Sequence, residues 1–215
     1  MNKIFNLATV LLILVGVASC KKDSKGVSGI TNYIVYEMKG DEAMTIAVGD
    51  PFTDPGVVAH EGEEDVTSKT KVSGTVDTNT PGVYTLTYTT TNKDGYSSSV
   101  RRYVGVVTDA AGKMDISGKY KRNAGVFGTA TIVKTKYSGL YINDNPGGIV
   151  IDPGTNEVYI YMFQTEPGVV SAPSQSSSVG EFACINGSYN AAGKSYTWSC
   201  INSGYGNTAR TFNKL

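Results

Sequence analysis

The stretch Val83-Tyr84-Thr85-Leu86-Thr87-Tyr88-Thr89-Thr90 decides the fold. Tyr84, Leu86 and Tyr88 fall on one face of an extended chain, and Thr85, Thr87 and Thr89 on the other. A period of two, with β-branched residues on one face, is the pattern of a half-buried strand. Asn92-Lys93-Asp94-Gly95 follows and predicts a hairpin turn into a second strand at 97–107. Upstream, 30–37, 44–48 and 71–76 read as further strands. About seven short strands in so short a stretch predict a β-sandwich.

Composition agrees. The 215 residues hold 25 Gly and 14 Tyr, and only 18% are charged. Gly, Thr, Ser, Tyr and Val favour strands and turns over helices. Lys plus Arg and Asp plus Glu both number 19, which excludes the basic surplus of a nucleic-acid binder. One His and three Cys exclude most His-based metal sites and any zinc ribbon, so no metal or cofactor is expected.

The N-terminus carries an address. Lys3 precedes an apolar run, 7–17, and then Ala18-Ser19-Cys20. A cation, an apolar segment and small residues make a secretory signal, and the run is too short for a permanent membrane span. Val17-Ala18-Ser19-Cys20 resembles a bacterial lipobox, which implies cleavage after residue 19 and lipidation of Cys20. Residues 1–19 are then a signal peptide, and 20–29 a polar tether. The expected location is the outer membrane, at the cell surface, with membrane attachment through the lipid. Lys22-Asp23 resembles a surface-export signal only weakly, so the periplasmic face stays open.

Within 30–108 the turn words are specific: Gly49-Asp50-Pro51-Phe52-Thr53-Asp54-Pro55-Gly56, Glu64-Asp65-Val66-Thr67, Asn79-Thr80-Pro81-Gly82-Val83-Tyr84 and Asn92-Lys93-Asp94-Gly95. In this order they resemble the bacterial Ig-like family found on pesticidal crystal toxins and many bacterial surface proteins. The resemblance implies an Ig-like sandwich serving as spacer or adhesion module, with no catalytic residues. His60-Glu61-Gly62-Glu63-Glu64-Asp65 offers oxygen ligands for calcium, but its spacing is not that of an EF-hand, and a solvated loop accounts for it.

Residues 108–113 break the strand pattern and read as a linker. Charge changes there: 20–110 hold nine bases and thirteen acids, 111–215 nine bases and six acids. Strand candidates continue at 116–122, 129–136, 139–143, 148–151, 157–163, 179–189, 195–201 and 209–215, with a Pro/Ser-rich loop at 164–178. Residues 113–215 are therefore expected to form an antiparallel β-barrel-like or sandwich domain, making the chain all-β. If three residues, 191–193, join two of these strands, Cys184 lies opposite Cys200, and the two form a cross-strand disulfide candidate.

No Gly-rich phosphate loop, nucleophile elbow or His-Glu-x-x-His is present. The second domain's acids, Asp115, Asp144, Asp152, Glu157, Glu166 and Glu181, show no pairing in sequence, and no enzyme is expected. Its aromatic residues point instead to ligand binding, since Tyr and Trp offer an apolar face with a polar rim. Tyr159 and Tyr161 share a face, as do Tyr196 and Trp198. Tyr137, Tyr205 and Trp198 are the ligand-binding candidates, Trp198 with a strong pull toward the core. Anchor, tether, Ig-like module and terminal β domain together resemble the glycan-binding outer-membrane lipoproteins of polysaccharide-utilisation systems. That resemblance implies polysaccharide capture. The alternative is an adhesion or structural lipoprotein with a protein partner.

Overall fold

The computed structural model describes residues 30–125, 127–150 and 157–215. The expected signal peptide, Cys20, the tether at 20–29, Asp152 and the last residue of the 148–151 strand candidate lie outside them. The chain divides into two units, Met1–Asn32 and Tyr33–Leu215. In the first, only Ile30, Thr31 and Asn32 are described, without regular structure. The second unit is all β apart from a short helix and a 3-10 turn.

Two sheets form its first half. One has the order β1 (Ile34–Met38), β3 (Val57–Glu61), β4 (Glu64–Asp65). The other runs β2 (Ala43–Ala47), β7 (Ser97–Val107), β6 (Gly82–Thr91), β5 (Lys71–Ser73). Only the β2–β7 pair is parallel. β6 and β7 form the expected hairpin, paired from Gly82↔Val106 to Thr91↔Ser97. Asn92 shapes the turn: its side-chain oxygen accepts from the Asp94 and Tyr96 amides. Leu86, Tyr88 and Thr90 are buried along β6, which fixes the inner face as the alternation predicts.

Opposite Leu86 stands Arg102, with no exposed surface at all. Its guanidinium donates to the Lys39 and Gly56 carbonyls at 2.7 and 2.9 Å and lies 3.4 Å from Asp54. Tyr88 donates to the same carboxylate at 2.6 Å. Burial, then the Asp54 contact, pushes the Tyr88 phenol up to about 12. The turn at 53–56 is thus pinned to a buried charge, because an unpaired one would be costly. The acidic stretch 60–65 forms the β3–β4 hairpin, where buried Glu61 accepts from the Lys93 amide. Among the described residues, no group of three His, Cys, Asp or Glu side chains is placed to hold a metal.

The second half is a closed eight-stranded barrel: β8 (Gly118–Arg122), β9 (Thr129–Lys134), β10 (Leu140–Asn143), β11 (Ile160–Glu166), β12 (Val169–Ser177), β13 (Gly180–Asn190), β14 (Ser195–Ile201) and β15 (Ala209–Lys214). Each strand pairs antiparallel with the next, and β15 closes on β8. At this strand number, side chains fill the interior. Tyr196 stacks on Phe212 at 4.6 Å, with Tyr120 and Trp198 edge-on to it at 5.1 and 5.0 Å.

Three expectations change. The 164–178 loop is strand: β11 and β12 meet at a turn through Pro167 and Gly168. Pro173 sits where the β12–β13 register shifts, between Ala172 and Gln175, so its missing N–H interrupts no regular ladder. There Gln175 substitutes for the backbone, accepting from the Tyr161 amide at 2.7 Å and donating to the Tyr161 carbonyl at 3.0 Å. Residues 148–150, expected to open a strand, have no regular structure. The β13–β14 connection has four residues rather than three, since Asn190 pairs with Ser195. A bulge at Asn186 and Gly187, with Asn186 at φ 53°, removes the slip and restores Cys184 opposite Cys200. The two are free thiols, 3.6 Å apart.

The stretch 108–113, expected as a linker, joins the two halves through a short helix. Thr108 caps α1 (Asp109–Gly112) by accepting from the Ala111 amide, and its own amide bonds Thr165 on β11. Ala43 and Tyr103 of the Ig-like half pack with Leu140 and Phe163 of the barrel in one buried cluster. A side chain at Gly105 would bring Cβ to 2.7 Å from the Phe163 ring, so this glycine admits the ring. Arg101 adds bonds to Ser174 and Glu181, and Thr45 to Ser138.

Candidate functional site

The seam between the two halves carries the site. Alternation along β11 sends Ile160 and Met162 into the barrel and Tyr161 and Phe163 outward. Phe163 is covered by the Ig-like half. Tyr161 is partly covered, and Tyr159, just before the strand, is 57% exposed. The residues before β2, Asp41 and Glu42, reach the same outer face. Two adjoining depressions result. One, of about 250 Å³, is lined by Glu42, Ile142, Tyr159, Tyr161 and Ser176 among others. The other, of about 160 Å³, includes Asp41, Glu42, Lys136, Tyr137 and Tyr161. Glu42 and Tyr161 belong to both, so the two make one groove. A larger hollow of about 580 Å³ on β12–β14 carries no aromatic side chain.

Each tyrosine of the groove is tied to a carboxylate. Tyr159 donates to Glu157 at 2.8 Å, Tyr161 to Glu42 at 3.3 Å and Tyr137 to Asp41 at 2.6 Å. Lys136 also bonds Asp41, at 2.6 Å, and lies 5.1 Å from the Tyr137 ring. These contacts set the protonation states. Hydrogen bonds from Lys136 and then Tyr137 hold the Asp41 carboxyl below its usual range. Burial, then the Glu42 charge, pushes Tyr161 up to about 12. The Glu157 and Asp41 hydrogen bonds raise Tyr159 and Tyr137. At neutral pH these three phenols keep their protons and Asp41 keeps its charge. The arrangement holds flat rings in place and presents carboxylate acceptors beside them.

The sequence-predicted candidates fall in three different places. Tyr137 is at one end of the groove, half-buried. Trp198 is no surface platform: it is fully buried in the barrel and donates to the Pro146 carbonyl at 2.9 Å. An aromatic residue that shares a face with Tyr196 and Cys200 packs inward with them. Tyr205 is half-buried rather than free. It lies edge-on to Phe182 at 5.1 Å under the Arg210 guanidinium, and a side chain at Gly147 would collide with its ring. Cys184 and Cys200 are far inside the barrel core. Sequence reasoning missed Tyr159, Tyr161, Asp41 and Glu42 as site residues. Alternation showed that Tyr159 and Tyr161 share a face, but both faces of β11 are apolar and nothing local says which is the inside.

Comparison with known proteins assigns the first half. Residues 36–106 match the family model of the bacterial surface protein, Ig-like domain. That bacterial surface Ig-like domain supplies Asp41 and Glu42 to the groove, and the barrel supplies the tyrosines. A lipoprotein from Bacteroides thetaiotaomicron is similar in structure at 22% identity and TM-score 0.38, covering 85% of this chain and 100% of its own. The M60 catalytic domain of Clostridium perfringens ZmpB with its CBM51-1 and CBM51-2 domains is similar at 12% identity and TM-score 0.33, over 80% of this chain and 15% of that one. CBM51-2 of the same protein, in complex with GlcNAc and with INT domains, is similar at 13% identity and TM-score 0.31, over 78% and 29%. No curated protein matches.

Proposed function

We propose that the protein is a lipid-anchored component of the bacterial cell envelope, displayed at the outer-membrane surface, and that its seam groove binds glycan without catalysis. The observation that carries the binding reading is Tyr159: an exposed ring beside Tyr161, with a carboxylate fixing each phenol. Sugar rings bury their C–H faces on such rings and direct hydroxyls to polar groups at the rim. The bacterial surface Ig-like domain supports envelope placement, and Val17-Ala18-Ser19-Cys20 supports an anchor.

The test is affinity electrophoresis of the mature chain, from Cys20 onward, through gels containing plant, host and bacterial polysaccharides. Retardation by at least one polymer, lost in Tyr159→Ala with Tyr161→Ala, is the expected result. Free migration through every polymer refutes the glycan reading. Labelling of cells with a radioactive fatty acid, lost in Cys20→Ala, checks the anchor, and proteolysis of intact cells checks the face.

A second reading has one observation behind it. Val133 and Ile142 are cross-strand neighbours and both exposed on the outer barrel face, the latter lining the groove. An adhesion role would use this apolar strip against a protein partner. Loss of that partner in Val133→Lys, with glycan binding absent throughout, would favour it.

A further inference from the structure

Tyr137 with Asp41, Tyr161 with Glu42 and Tyr159 with Glu157 repeat one arrangement along the seam. Each phenol donates its hydrogen bond to a protein carboxylate. No groove phenol therefore has a free hydroxyl hydrogen to offer an incoming anion. The groove amide is also spent: Gln175 donates to the Tyr161 and Pro173 carbonyls. Lys136 is the one cation among the described residues lining the two depressions, and Asp41 already holds it at 2.6 Å. Three carboxylates against one committed ammonium leave the rim negative. Asp41 and Glu42 come from the half that is negative overall, and only Glu157 from residues 111–215, which carry nine bases against six acids.

Such a rim discriminates by charge. A uronate, sulfate ester or sialic acid would bring a second anion within a few ångströms of Glu42 or Glu157, where the phenols, the Gln175 amide and Lys136 are already committed to protein acceptors. Like charges juxtaposed at an interface disfavour the wrong partner strongly. A neutral pyranose meets the opposite situation. Its hydroxyls donate to the free lone pairs of the carboxylates, which are strong charge-assisted bonds, while its apolar face covers Tyr159. We infer that the groove takes uncharged, hydroxyl-rich polysaccharide and excludes acidic glycans. This rests on the glycan reading above and narrows it to a substrate class.

The experiment is affinity electrophoresis of the mature chain in two sets of gels at low and high salt. One set contains neutral polymers (β-glucan, mannan, galactan, xylan), the other polygalacturonate, heparin and polysialic acid. At least one neutral polymer should retard the protein, with little change between salt levels, and no acidic polymer should bind within tenfold of it. Glu42→Gln with Glu157→Gln, both exposed positions, should weaken neutral binding several-fold and narrow the gap to the acidic polymers. Thermal melting of the variant checks that it folds. Acidic binding as tight as neutral binding at low salt would overturn the charge rule and leave the glycan reading standing. Free migration through both sets would overturn the two together.

Discussion

At the centre of the Ig-like half lies a charged group, Arg102, paired with Asp54 and donating through one guanidinium nitrogen to the Lys39 and Gly56 carbonyls. At the centre of the barrel lies a stack of rings, Tyr196 on Phe212 with Tyr120 and Trp198 edge-on. The contrast concerns what each core demands of the sequence. A buried guanidinium needs particular oxygens at particular places, so it dictates the turn that supplies them. A stack of rings needs only volume and shape, which many sequences supply.

Truncating the ring stack should produce the largest effect. Phe212→Ala leaves a ring-sized cavity among fully buried neighbours and should cost about 3–5 kcal/mol, read by urea denaturation. A cost below about 1 kcal/mol would mean that the barrel collapses around the gap. Next comes the charged core. Asp54→Ala removes the carboxylate partner of Arg102 and the acceptor of Tyr88, and should cost about 3 kcal/mol. The single tryptophan, Trp198, reports only on the barrel, whereas far-ultraviolet dichroism reports both halves. In Asp54→Ala the two signals should shift together if the seam couples the halves, and separate if it does not.

The same contrast explains what could be read before the fold was known. The words Thr53-Asp54-Pro55-Gly56 and Asn92-Lys93-Asp94-Gly95 are legible because each does a job that few residues can do: one answers a buried charge, the other closes a hairpin. The barrel's strands were placed by alternation, but its Pro/Ser-rich β12 was not, because Gln175 repairs by side chain what Pro173 interrupts. The groove was least legible. Asp41 and Glu42 meet Tyr137 and Tyr161 across about a hundred residues of chain, and a tertiary seam leaves no local pattern.

The thiol pair tests the barrel core from another side. Burial pushes the Cys184 thiol up, whereas the hydrogen bond from Cys184, aided by the Arg210 charge, lowers Cys200. In an oxidising envelope, exchange with a protein disulfide would join the two sulfurs and reduce the donor disulfide to two thiols. A peptide linking 184 and 200 is expected in non-reducing mass spectrometry of exported protein. The loop closed is about 15 residues, so the model gain is roughly 3 kcal/mol at most. Two alkylatable thiols in exported protein would refute the bridge. A smaller effect is expected at the seam. Gly105→Ala forces Phe163 to shift and should cost about 1–2 kcal/mol while separating the fluorescence and dichroism transitions.

The smallest effect belongs to the groove's own charges, and it distinguishes the exposed seam from the core. Asp41 is held below its usual carboxylate range by Lys136 and then Tyr137. A carboxyl depressed by folding stabilises the native state above its unfolded value, near 4, and that contribution fades as pH falls through the lower folded value. Asp41→Asn should therefore destabilise slightly at pH 7, by less than Gly105→Ala, and the difference from the parent should vanish toward pH 2. High salt should shrink it too, because the Lys136 contact is exposed. Asp54→Ala behaves differently under salt, since its partner Arg102 is fully buried and screened far less. Equal salt sensitivity of the two variants would contradict the division between a polar core that builds the Ig-like half and a charged seam that faces solvent.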